Sequence, residues 1–411
     1  MGAGFSGLAL AMRVPPSLKV LILEQKSQVD AGANTTGLIT VATRGILSDL
    51  TDVRSYITNR IEDICVLAPD WSSHFFSGTD FPWIFSTDTP GLLGSMAGKL
   101  GPNVTLKTGA RVETWDRETG EIHPIIVRFK EGDNSAVSVR CRLLVGADGT
   151  KSVVAAGSPD LSKNTKILFA YEKVFAGEPL FGEKPDRTVY HLWFGSFSLG
   201  YGGWIAPNFV SGKKVFRIGY ATYDSNIKQE NKLDNMINLL RWKEYIRLYE
   251  EKPLIKYGGY FPVGGVLPNT VSDDVILIGD AAGYCGAFSA DGIKGALVSG
   301  ITAAKLIPDH LDGDSQALKQ IHNLMEAEAE MISYFSRQVR YRFLWNRMKS
   351  NATFTSLFKL CEREKDDFLN QFCDAKDMRK SLLWVLFKFR HMPALARLAG
   401  NILLDTLTGR K

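Results

Sequence analysis

The chain has 411 residues, too many for one ordinary domain at about 150 residues each. Hydrophobic residues at 45% and charged residues at 23% are globular values, and they rule out disorder, collagen-like repeats and a disulfide-stapled mini-protein. Lys+Arg 49 against Asp+Glu 44 leaves a formal charge of +5, too mild to point to nucleic acid. Five scattered cysteines (Cys65, Cys141, Cys285, Cys361, Cys373) lack metal-like spacing, so a reducing cytoplasm is expected. No run of about 18 apolar residues reads as a spanning helix, and no secretory signal opens the chain.

The first residues, Met1-Gly2-Ala3-Gly4-Phe5-Ser6-Gly7, place glycines at 2, 4 and 7 in the G-x-G-x-x-G spacing of a dinucleotide turn. Gly2 permits the tight turn, Gly4 the approach of a pyrophosphate, and Gly7 close packing of the helix that follows. Amides at the helix start, around Phe5 and Ser6, are expected to face phosphate. Leu18 to Leu23 reads as a strand ending in Glu24, an acidic residue about 20 positions on, where ribose hydroxyls are bound. Gln25 beside it and Val112 are further candidate cofactor contacts. The turn ordinarily follows a buried strand, and Met1 stands where that strand would end. The expectation is an upstream start or a truncation, with the first strand missing.

Two later stretches complete the pattern. Arg142 to Gly149 is an apolar strand ending in Ala147-Asp148-Gly149, of which Asp148 and Gly149 are candidate cofactor contacts. Val275 to Ile278 is another, running into Gly279-Asp280-Ala281-Ala282-Gly283, then Asp291-Gly292-Ile293 and a helix from Lys294. Here Gly279 lets backbone touch a ligand, Asp280 can accept from hydroxyls, and the helix start near Gly292 and Ile293 offers its positive end to an electron-rich ring. Taken alone, Ala-Asp-Gly is a strand-to-turn junction and Gly-Asp a capped strand. The three segments in this order are what carries weight.

On these motifs the chain resembles the geranylgeranyl reductase family of FAD-dependent oxidoreductases, with the p-hydroxybenzoate hydroxylase-type FAD fold, over residues 1 to about 310. Gly283 stands where aromatic hydroxylases of that fold have His. Gly200-Tyr201-Gly202-Gly203-Trp204-Ile205-Ala206-Pro207 is similar to the reductases' Tyr-x-Trp-x-Phe-Pro cavity motif, with one residue inserted and Ala206 for Phe. The departures are Ala287 and Ala290 for Pro and Gly, Ala155 for Arg, no cysteine in Asn34 to Leu38, and no Arg around Ser86-Thr87.

The resemblance implies an α/β fold. A Rossmann-like FAD-binding domain (1–60, 90–160 and 260–310) would carry an inserted antiparallel-sheet substrate domain (61–89 and 161–259) and a C-terminal helical region (311–411). It also implies FAD as cofactor, with NAD(P)H or a donor protein such as ferredoxin supplying electrons, and reduction of C=C bonds in a prenyl chain on a lipid or quinone-type substrate. A flavin monooxygenase acting on an apolar substrate and a non-catalytic flavin-fold binding protein stand as alternatives. Tyr201, Trp204, Cys285 and His191 are the candidate substrate residues, though the plainer reading of Cys285 is a small buried residue and that of His191 ordinary sheet core. No acid for protonating an alkene carbon is identifiable, and no metal site is expected. The basic, Trp-containing stretch 376–411 suits either a helical cap or peripheral contact with a membrane at its inner face.

Overall fold

The structure is a computed structural model; it describes residues 1–31, 35–77, 84–131, 135–181, 187–194, 202–210, 212–223, 228–364 and 386–408. Short β-branched and leucine-rich runs pair in parallel on either side of the chain start. Val20–Leu23 pairs with Val104–Lys107, and Leu144–Gly146 pairs with Val275–Leu277, whose other edge carries Val271–Ser272. Met1 and Gly2 bridge the two halves. The Met1 amine donates to Val145 O at 2.7 Å, Ala147 N donates to Met1 O at 2.9 Å, and Gly2 N donates to Leu23 O at 2.8 Å. Below this bridge the two sheet edges face each other across a cleft of about 1130 Å³, lined by Leu10, Val20, Ile22, Leu144 and Ile307 among others.

The glycine turn leads into the helix Phe5–Ala11, which packs along the longer helix Gly292–Leu311 through their small residues. A three-stranded meander (Ala110–Arg117, Ile125–Glu131, Ser135–Cys141) covers one flank.

Two aromatic-rich stretches, 63–77 and 167–262, build a mostly antiparallel eight-stranded sheet. Alternation of side chains across its pleat sends one set of residues toward the FAD-type domain and the other toward the helix Lys228–Trp242. A smaller sheet (Leu38–Thr40, Ile57–Ile61, Ile84–Thr87) joins the two layers. Helices Ile321–Ala329, Met331–Trp345, Asn351–Cys361 and Met392–Thr408 pack against the joint. This is the α/β arrangement, with an antiparallel second sheet and a helical C-terminal region, that the motifs imply. Among the described residues no helix is long and apolar enough to cross a membrane.

Candidate active site

The three glycine-bearing segments, far apart along the chain, meet at the carboxyl ends of the parallel strands. Gly2 has φ +94, and a Cβ there would strike the Ala147 carbonyl, so only glycine lets the first turn press against the second segment. Gly279, at φ +59, brings the third segment against the first; a Cβ on it would lie 2.7 Å from Ser6 Oγ. The result is one cavity of about 410 Å³, whose floor includes Gly4, Phe5, Ser6, Gly149, Asp280, Gly292 and Ile293. Cys285 also lines it, and burial holds its thiol well above the usual range.

Asp280 faces this cavity. Desolvation raises its carboxyl from the usual 3.8 to about 6, opposed by a hydrogen bond from Thr150 Oγ1 at 3.5 Å. A carboxylate with so little donated to it, at a cavity wall, suits the hydroxyls of a ribityl or ribose group. The first amides of the helix Gly292–Leu311 take no side-chain cap from Asp291, which leaves donors for the polar edge of a flavin ring. The residues present therefore fit FAD.

The opposite wall comes from the eight-stranded sheet and is apolar, formed by Tyr190, Leu192, Phe194 and Trp204 together with Trp345 of the C-terminal region. One polar cluster interrupts it. Glu172 accepts from Trp204 Nε1 at 2.7 Å, from Thr36 Oγ1 at 2.8 Å and from the Tyr257 hydroxyl, and Arg217 Nε stands 3.6 Å from its other side. Arg217 also donates to the carbonyls of Thr35 and Thr36. The cluster thus ties the connection after Val20–Leu23 to the eight-stranded sheet.

Several sequence candidates lie outside the cavity wall. Glu24 is buried and accepts from Ala3 N at 2.7 Å and Lys26 N at 2.9 Å, so it clasps the glycine turn. Gln25 is exposed, and Val112 belongs to the core of the meander. Asp148 caps the short helix Val153–Ala156 through Ser152 Oγ, Val153 N and Val154 N. Gly7 packs beneath the turn. His191 is fully buried on the opposite face of its strand from Tyr190 and Leu192, with Nδ1 3.4 Å from Tyr245 OH. It is core, as the plain reading of its strand had it. Tyr201 and the stretch 376–385 lie outside the described residues.

Glu172, Arg217, Tyr257 and Trp345 carry no motif. For Glu172 and Arg217 the one sequence signal is a charged residue inside an apolar strand pattern, as in Tyr171-Glu172-Lys173-Val174. Ala290, one of the departures from the expected pattern, takes φ +58, a conformation that costs a residue with a side chain more than glycine.

No protein-family model matches the chain. It is 24% identical over 94% of its length to digeranylgeranylglycerophospholipid reductase 3 of Methanosphaera stadtmanae, covering 94% of that protein. Its fold is similar to a geranylgeranyl bacteriochlorophyll reductase-like protein of Thermoplasma acidophilum, with a TM-score of 0.69 and 17% identity, over 99% of this chain and 97% of the other. It is also similar to aklavinone-11 hydroxylase solved with FAD and aklavinone, with a TM-score of 0.57 and 17% identity, over 85% of this chain and 68% of that one. The chain is thus similar in sequence to a digeranylgeranylglycerophospholipid reductase and in fold to FAD-dependent flavoproteins.

Proposed function

We propose that the chain is an FAD-dependent oxidoreductase that reduces C=C bonds of a prenyl chain on a lipid-like substrate. The observation that carries this reading is the single cavity, with cofactor-binding segments on one wall and an apolar aromatic surface on the other. Bound FAD supplies hydride chemistry at its ring. The chain's own residues do the positioning. Asp280 and the helix start at Gly292 hold polar parts of the cofactor, while Trp204, Leu192 and Trp345 keep water from the facing surface and receive an apolar chain.

Reduced holoprotein, mixed anaerobically with geranylgeranyl compounds, is expected to lose its reduced-flavin spectrum while the substrate gains mass in steps of two hydrogens. Absence of flavin oxidation with every polyprenyl compound, or incorporation of labelled oxygen instead, overturns the reading.

We propose that the C-terminal face also makes contact with a membrane surface. Phe387, Phe389, Leu403, Leu404 and Leu407 are exposed, Phe389 at 95%, and Leu403, Leu404 and Leu407 share one side of the helix Met392–Thr408. Arg397 is exposed nearby, and Lys388 and Arg390 share Glu364. Leu398 of the same helix packs in the apolar cluster that contains Tyr190, Leu192 and Trp345 of the cavity wall. Packed apolar core therefore joins this helix to the residues of the cavity wall. Flotation with anionic vesicles tests this: Phe389→Ser with Leu407→Ser is expected to lose binding, and undiminished binding by that variant removes the proposal.

A further inference from the structure

The helix Met331–Trp345 lies outside every cofactor segment, some 45 residues beyond the loop at the cavity floor. It nevertheless holds that loop. Gln338, only 2% exposed, points its side-chain oxygen at the loop, where it accepts from Phe288 N at 3.1 Å and Ser289 N at 3.0 Å. One turn earlier, the buried Tyr334 hydroxyl donates to Asp291, whose other oxygen accepts from Ser289 Oγ at 2.5 Å. Phe288 is further wedged by the rings of Tyr341 and Trp345 of the same helix.

Between these two anchors sits Ala290 at φ +58. A side-chain-bearing residue adopts that conformation at a cost that glycine does not have. Left to itself, the loop would turn Ala290 back to negative φ and carry Asp291, Gly292 and Ile293 away from the cavity floor. The strain is concentrated at one residue, and side-chain restraints on both sides of it come from one helix, added to the loop's own bonds from Ala290 N to Gly286 O at 2.9 Å and from Gly292 N to Ala290 O at 3.2 Å. Such strain persists only where the surroundings over-determine it.

We propose that Gln338 and Tyr334 are cofactor-positioning residues. They clamp the 286–291 loop in the strained form that presents Gly292 and Ile293 to the flavin, and so make the C-terminal region part of the FAD site. The proposal rests on the flavin reading above for its ligand and is independent of the substrate. Release of the clamp costs affinity because the loop must be re-strained each time FAD binds, an effect of about tenfold for one left-handed alanine.

The test is FAD affinity, measured by recovery of flavin fluorescence on dilution, alongside the melting temperature of FAD-free protein. Gln338→Leu preserves volume and removes the acceptor, and is expected to weaken FAD binding about tenfold. Adding Ala290→Gly in the same protein should return affinity to within about threefold of the parent, because glycine needs no clamp at that φ. Ala290→Gly alone leaves affinity close to the parent value. Tyr334→Phe, a conservative change that keeps the ring packing, weakens binding by a smaller factor and reads the same coupling should Gln338→Leu fail to fold. Unchanged affinity in Gln338→Leu and Tyr334→Phe overturns the proposal, as does a loss that Ala290→Gly leaves in place, which would mark Gln338 as merely structural. A parent protein that takes up no FAD overturns the flavin reading and this proposal together. A parent that binds FAD no better than Gln338→Leu overturns this proposal alone.

Discussion

Trp204 reaches Glu172 across an intervening strand, and it does so over Gly219. Both residues are in register with Gly219, Glu172 from one neighbouring strand and Trp204 from the other, and the indole nitrogen donates to the carboxylate at 2.7 Å. The indole can lie flat there because nothing stands on Gly219: a Cβ at that position would be 2.6 Å from Trp204 Cζ2 and 2.7 Å from the Tyr171 carbonyl. A missing side chain on the middle strand therefore sets the shape of the cavity wall on its neighbours.

Gly219→Ala should lift the indole from the sheet. Over-packing of this kind costs about 1–3 kcal/mol. We expect a lower denaturant midpoint, a shift in tryptophan emission, and a raised KM for apolar substrate with kcat less affected. Unaltered emission would show that the wall does not depend on the gap.

Glu172→Gln keeps the size of the side chain and removes acceptor capacity. The carboxylate takes hydrogen bonds from Trp204, Thr36 and Tyr257, and an amide NH₂ must face at least one of those donors. The expected loss is about 1–3 kcal/mol in urea unfolding, the cost of one buried donor left unmade. Glu172→Gln with Arg217→Met should recover part of it, since the guanidinium otherwise loses its buried counter-charge.

Asp280 makes the stability of FAD-free protein depend on pH. Burial holds the folded carboxyl near 6, above the usual 3.8, so the folded state favours the protonated form. That contribution is whole below about pH 4 and is lost as pH rises through about 6, amounting to at most about 3 kcal/mol. Asp280→Asn escapes the loss. Thermal melts of FAD-free protein are expected to coincide for parent and variant at pH 4 and to favour the variant above pH 6, while its FAD affinity falls.

Trp345→Ala removes the ring that meets Phe194 at 4.6 Å, Phe354 at 5.0 Å and Phe288 at 5.2 Å. Large-to-small replacement in such a cluster costs about 3–5 kcal/mol. Because Trp345 also forms cavity wall, we expect bulkier prenyl analogues to gain activity relative to the natural-length chain, measured as relative kcat/KM.

The cofactor side of the site was legible because glycine has few substitutes where backbone must touch backbone. The sequence around Gly2, Gly279 and Gly292 could be read without coordinates for that reason. Glu24 and Asp148 were read as ligand contacts from type and spacing. The structure uses Glu24 to clasp the glycine turn and Asp148 to cap a helix, since an acidic side chain at a strand end meets backbone amides whether or not a ligand is near. The substrate side was legible only as aromatic richness. Trp204 was found through its motif, whereas Glu172, Tyr257 and Gln338 depend on which strands and helices become neighbours, a long-range fact that local pattern does not hold. His191 and its neighbour Tyr190 differ by one position, and the pleat alone decides which of them faces the cavity.

The Met1 bridge bears on how the protein is best handled. Met1 is bonded through its nitrogen to Val145 and through its carbonyl to Ala147, so residues placed ahead of it run between two sheet margins that line one cleft. A leader ending in four or five valines and isoleucines should zip the margins together and raise the melting temperature, whereas one ending in lysines or glutamates should pry them apart.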